Sequence, residues 1–184
     1  MIKPFDFYFD FISPYSFLAH KQIRKIEIKE NIKIKYNPVL LGGLHNLHGI
    51  KAPAFIPAKA KHMIRDCKLI AEKNNVRFKF NSYFPIRSLN LMRGVLVAEE
   101  DNFKNYYIDT IFNTIWQDGL NMNDEVIIQK VLKNLNINAK TFALRSTSSS
   151  IKDALRKKTS DAYQKGIFGA PTFVANNKIF WGQD

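Results

Sequence analysis

The chain has 184 residues, 46% of them hydrophobic and 24% charged, enough for one domain with a sizeable core or a domain carrying an insertion. Its 28 basic and 16 acidic residues give a formal net charge of +12, which suits an anionic ligand; the cations are scattered and no helix-turn-helix, zinc-finger or RNP pattern accompanies them, so nucleic acid is set aside as a partner. No apolar run approaches the ~20 residues that span a bilayer, the N-terminus does not read as a signal peptide, and one cysteine, Cys67, rules out an internal disulfide, which together point to a cytoplasmic protein that avoids membranes.

Phe5 to Phe11 alternates with period two and predicts a half-buried strand. Ser13 then suits an N-cap and Pro14 a first helical residue, ahead of a helical stretch from Phe17 to Lys29. Lys33 to Leu40 alternates again and predicts a second strand. Leu41 to about Lys51 reads as loop, with Gly42, Gly43 and Gly49. Helical spacing follows over Ala58–Asn74, then an extended segment from Phe78 to Pro85. Further helices are expected over Ser88–Glu100, Phe103–Trp116, Asn123–Leu135, Ala139–Arg145 and Ser149–Lys165. Thr172–Ala175 and Ile179–Trp181 are short β runs, with Asn176-Asn177 as the turn between them.

The order β-α-β, a helical block, then β-β is that of an α/β, thioredoxin-like fold with a helical insertion. Residues 1–57 and 166–184 would form the thioredoxin-like domain and 58–165 the insertion. Such a fold closes with one more helix, and the sequence ends at Asp184 before it, so the terminal helix is expected to be missing. Part of the sheet face around Phe173, Ile179 and Trp181 is then expected to be exposed, or covered by the insertion or a second chain.

Ser13-Pro14-Tyr15-Ser16 stands at the strand–turn–helix junction where thioredoxin-class redox enzymes place Cys-Pro-x-Cys. Ser13 and Ser16 cannot form a disulfide, which disfavours a disulfide oxidoreductase. By position alone Ser13 is a helix cap. Gly169-Ala170-Pro171-Thr172 changes that weighing: a proline opening a β run after a small residue suggests a cis bond facing the first turn. A thiol brought there would meet the positive end of the helix, and a serine hydroxyl could donate to its thiolate. No G-x-S-x-G and no well-placed histidine support a serine hydrolase. His45 and His48 lack a third metal ligand nearby, and no metal is expected. Cys67 reads as a mid-helix cysteine without function, Trp116 and Trp181 as core or pocket-wall aromatics, and Asp6 and Asp10 as neighbours on one strand face.

Phe7 to Ser16, Gly166 to Phe173 and Phe180 to Asp184, with Pro57-Ala58-Lys59 and Asp66 between them, resemble 2-hydroxychromene-2-carboxylate isomerases and kappa-class glutathione transferases, within the DsbA-like thioredoxin superfamily. The resemblance covers nearly the whole chain. It implies that Ser13 activates the thiol of glutathione, that the Ala170 backbone beside a cis Pro171 pairs with the cysteinyl part, and that Gln183 and Asp184 hold the γ-glutamyl end. Lys59 would bind the cofactor at the mouth of the site, which Phe84 and Pro85 also line, and Tyr15, Phe84 and Pro85 would contact substrate. Ile50 stands where relatives often carry an asparagine, and His62 where they often carry a tyrosine. The implied activity is glutathione-dependent isomerisation of a conjugated aromatic pyruvate, an electrophile that bears a carboxylate. The alternatives are a kappa-like transferase and a non-catalytic thiol- or peptide-binding domain. A homodimer is the implied assembly.

Overall fold

The computed structural model describes residues 5–183. Strand β1 (Asp6–Phe9) runs into a turn and then helix α1 (Pro14–Glu30). The helix starts on the Ser13 cap, with Pro14 in its first turn, and stops where Asn31 takes a left-handed conformation, φ 48°. The crossover lets β2 (Lys35–Pro38) lie parallel to β1, with Phe7 opposite Tyr36. Strand β3 (Thr172–Ala175) adds antiparallel to the other side of β1, and β4 (Lys178–Trp181) to β3, giving the order β2-β1-β3-β4. Asn176 and Asn177 both take positive φ in the tight turn, as expected of a two-residue hairpin.

Alternation along β1 divides the sheet faces. Phe7, Phe9 and Phe11 enter the main core with Tyr36, Phe112 and the buried face of α1. Tyr8 points the other way, into a smaller cluster with Val39, Leu44, Ala162 and Ile167. The helical block comprises α3 (Pro57–Lys73), α4 (Leu89–Glu100), α5 (Lys104–Trp116), α6 (Glu125–Asn134), α7 (Ala139–Ser146) and α8 (Ser149–Gln164). Helices α3 and α5 pack on α1, whereas α8 packs against β2 and joins both clusters through Ile151, Leu155 and Ala162. This is the expected thioredoxin-like architecture.

Two expectations need correction. The segment after β2 is not all loop, because Leu41–Leu47 form helix α2. Its glycines lower helix propensity, but burial of Leu44 and a bond from the Leu41 amide to the Asp10 carboxylate, 2.8 Å, outweigh that cost. His45 and His48 therefore sit on and just after a helix, and His48 packs on Tyr163 and meets the Ile167 carbonyl at 3.2 Å. Phe78 to Pro85 carries turns and joins no sheet, with Asn81 bonding the Ile115 and Leu120 carbonyls and the Tyr83 amide from its side chain.

β4 is an edge strand with Ile179, Phe180 and Trp181 40%, 55% and 62% exposed, so exposure is present at Ile179 and Trp181, whereas Phe173 lies on the other face and packs half-buried on Phe5 and Phe7. Among the described residues, no helix is long and apolar enough to cross a membrane.

Candidate functional site

The site begins with a turn that leaves a hydroxyl at a helix N-terminus. After β1, the Ser13 amide bonds back to the Asp10 carbonyl at 3.1 Å. Ser13 keeps extended dihedrals, φ −86° and ψ 114°, and its Oγ accepts the Ser16 amide at 3.1 Å. The same Oγ donates to the Ala170 carbonyl across the site, at 2.9 Å. The Ala170–Pro171 bond is cis, as expected from the sequence. The turn at Ser13 and the loop at Pro171 are thus in direct contact, although Ser13 and Ala170 lie 157 positions apart. Thr172 Oγ1 donates to the Gly169 carbonyl at 2.8 Å and fixes the loop from its other side.

This hydroxyl has one proton and uses it on a peptide carbonyl. Beside it, the first-turn amides and the helix dipole favour negative charge. An anionic sulfur placed there could take the Ser13 proton in a charge-assisted bond, stronger than the neutral bond it replaces. Ser16, at the position of the second cysteine of a redox motif, is fully buried, and its Oγ has no partner among the described residues.

Asp10 was read from the sequence only as a neighbour of Asp6. The structure makes it the keystone of the turn. It has no solvent exposure, and its carboxylate accepts the amides of Ile12 at 3.1 Å and Leu41 at 2.8 Å. Burial pushes its pKa up, opposed by the hydrogen bonds from Leu41, the Ser88 side chain and Ile12. The sequence signal for this role was present: a charged residue directly follows three consecutive aromatics, Phe7-Tyr8-Phe9.

The other expected site residues occupy distinct places. Tyr15 donates to Asp66 of α3 at 2.8 Å, so α1 and α3 are tied one turn from Ser13. Burial and that bond raise the Tyr15 pKa, so its phenol stays neutral. Lys59 is exposed in the first turn of α3, about two helical turns from Asp66. Phe84 packs on Phe80 and on Trp116, and Trp116 donates its indole N–H to the Phe11 carbonyl at 2.8 Å. The Phe84–Pro85 bond is also cis, with Pro85 exposed. Gln183 follows Gly182, whose amide bonds to the Pro171 carbonyl at 3.1 Å, so the end of β4 is anchored to the cis-proline loop. Asp184 lies outside the described residues.

Trp116 is wholly buried, whereas Trp181 is exposed and packs on Phe168. Gly169 allows that: a Cβ there would stand 2.6 Å from Trp181 Nε1. Cys67 is buried, and burial pushes its thiol up to about 12, which leaves it inert at neutral pH.

Residues 5–184 match the DSBA-like thioredoxin domain model. The chain belongs to that family. It is 28% identical to a 2-hydroxychromene-2-carboxylate isomerase of Sphingobium xenophagum, over all of this chain and 94% of that one. It is 23% identical to glutathione S-transferase kappa 1 of Rattus norvegicus, over 93% of this chain and 80% of that one. A solved 2-hydroxychromene-2-carboxylate isomerase shares the fold with a TM-score of 0.90 at 23% identity, covering 99% of this chain and 90% of its own. The resemblance carried by the two end motifs therefore extends through the helical block.

Proposed function

We propose that this chain is a glutathione-dependent isomerase in which Ser13 holds the glutathione thiol in its reactive, ionised form. The observation that carries the reading is the Ser13 hydroxyl itself, at the N-terminus of α1 and 2.9 Å from the carbonyl before a cis proline. The residues present fit such a cofactor. They provide a proton donor that can turn from Ala170 to a sulfur, helix-end amides, and no cysteine of the chain's own at either motif position.

When bound, glutathione would supply the thiolate needed for reversible, isomerising addition to a conjugated aromatic pyruvate. Ser13 donates its proton toward the sulfur and positions it without acting as a nucleophile. The backbone of Ala170, beside Pro171, pairs with the cysteinyl part of the peptide. Gln183 and Asp184 would hold the γ-glutamyl end. Tyr15, Phe84 and Pro85 contact the electrophile, and Lys59 attracts its carboxylate. The similarity to a kappa-class transferase supports a second reading, in which the adduct is retained as product.

The test begins with calorimetric titration of glutathione and the ultraviolet absorbance of its bound thiolate against pH. Binding with a thiol pKa below that of free glutathione is expected, followed by isomerisation of an aromatic enone pyruvate without net loss of glutathione. Stoichiometric consumption of glutathione would select the transferase. Failure of the chain to bind glutathione at all would overturn both.

A further inference from the structure

Helices α2, α4 and α8 enclose a cleft of about 580 Å³ on the face of the sheet opposite α1. Three cations line it, Arg93 from α4 and Lys152 and Arg156 from α8, and no acidic side chain does. Of the three, Arg156 is already paired with Asp153 at 3.0 Å. Among the described residues, neither Arg93 nor Lys152 lies within ion-pair distance of a carboxylate. Arg93 donates from Nη1 to the Asn90 amide oxygen at 3.1 Å, while its Nε is buried without a partner. A buried guanidinium N–H left unpaired is costly, and an anion in the cleft would satisfy it.

The rest of the lining narrows the ligand. Asn46 and Ser160 add polar contacts, whereas Leu47 and Leu89, 51% and 39% exposed, offer an apolar wall. Two cations without carboxylate partners match two negative charges, and the leucines match an apolar body. We propose that this cleft binds a phosphate monoester with an apolar body, at a site separate from the Ser13 groove. Leu40 and Leu89 line the cleft, and their neighbours Leu41 and Ser88 both hydrogen-bond Asp10. The ligand would therefore clamp the two segments that hold the Ser13 turn from behind.

Phenyl phosphate is the probe, titrated calorimetrically into the full chain at low ionic strength. Single-site binding is expected, tighter than that of inorganic phosphate, which leaves the leucines uncovered. Charge-assisted bonds of this kind imply a loss of about tenfold or more in the double variant Arg93→Met/Lys152→Met. Lys152→Met alone, an exposed position that should not disturb folding, should weaken binding severalfold. Ser13→Ala and Lys130→Met, the latter on α6, should bind the probe as the parent does. Three outcomes overturn the proposal: no binding of phenyl phosphate, equal weakening by Lys130→Met, which would mean diffuse attraction to a basic protein, or loss in Ser13→Ala, which would place the anion in the other groove. Equal affinity for inorganic phosphate would refute the apolar body.

Discussion

Ser13 does two jobs with one oxygen, capping α1 through its lone pair and reaching the cis-proline loop through its proton. Removing it should separate stability from chemistry. Ser13→Ala is expected to cost ~0.5–2 kcal/mol of stability, the usual value of a helix cap. It should raise the pKa of bound glutathione by ~1–2 units, since a hydrogen bond to a charged group is worth ~1.5–3 kcal/mol. Turnover should fall about ten- to a hundredfold with it. A thiolate titration identical in parent and variant would reduce Ser13 to a cap. Asp10 is the second residue on which the turn depends. Asp10→Ala strands the part-buried Leu41 and Ile12 amides, so about 1–3 kcal/mol of destabilisation is expected in urea unfolding. A loss below ~1 kcal/mol would show that water or neighbouring groups replace the carboxylate.

At the level of elements, the helical block is held to the sheet by close packing and one buried polar network. Gly94 brings α4 against α5 and α7. A Cβ there would fall on the Tyr107 hydroxyl and within 2.9 Å of Phe142 Cε1, and Tyr107 is held by its bond to the Leu91 carbonyl. Gly94→Ala should therefore destabilise by ~1–3 kcal/mol, overpacking outweighing the gain in helix propensity of about 1 kcal/mol. A melting temperature equal to or above that of the parent would contradict this. The network joins α1, β2 and α5: His20 meets Tyr36 Oη at 3.2 Å and Asp109 at 2.7 Å, and Arg24 also binds Asp109. Distance alone would make His20–Asp109 an ion pair, yet burial lowers the His20 pKa despite the carboxylate, and Arg24 supplies the positive charge. The unfolded chain thus binds the His20 proton at a higher pH than the native one. Stability should decline as pH falls below about 6.5 toward the folded-state value. For Asp109, burial is outweighed by the hydrogen bonds from His20 and Arg24, so its pKa is lowered and its contribution, present above 3.8, is lost as pH falls through the folded value. Urea midpoints measured from neutral pH downward should show the upper decline, and His20→Gln should flatten it. His45 acts with the same sign, so the difference between parent and variant isolates His20. Superimposable curves would show that His20 is not the group responsible.

Across the whole molecule, the net charge of +12 is spread over a surface that, under the proposed function, admits a carboxylate substrate. Counter-ions screen such attraction within ~8–10 Å at moderate salt. The KM for an aromatic pyruvate should therefore rise severalfold as salt is added, with kcat unchanged, because the field acts on encounter more than on the reacting atoms. A KM independent of salt would confine recognition to contacts inside the groove.

The linear pattern was enough for the sheet strands and for the helices other than α2. Alternating Phe7, Phe9 and Phe11 could bury only as a strand, Ser13-Pro14 could begin only a helix efficiently, and Asn176-Asn177 suited a tight hairpin, because each depends on neighbours within a few positions. The proximity of Ser13 to Pro171 was legible only because both motifs resembled a known arrangement. Tertiary structure alone decided the rest. Helix α2 forms over glycines because a carboxylate from another element caps it and Leu44 finds a core. Asp10 changes from a strand-face acid to the buried support of the turn for the same reason. The cleft lined by Arg93, Lys152 and Arg156 joins residues about 60 positions apart, and no local period encodes it. Local sequence fixes backbone preference, whereas burial, pairing and cleft chemistry arise only when distant segments exclude water from one another.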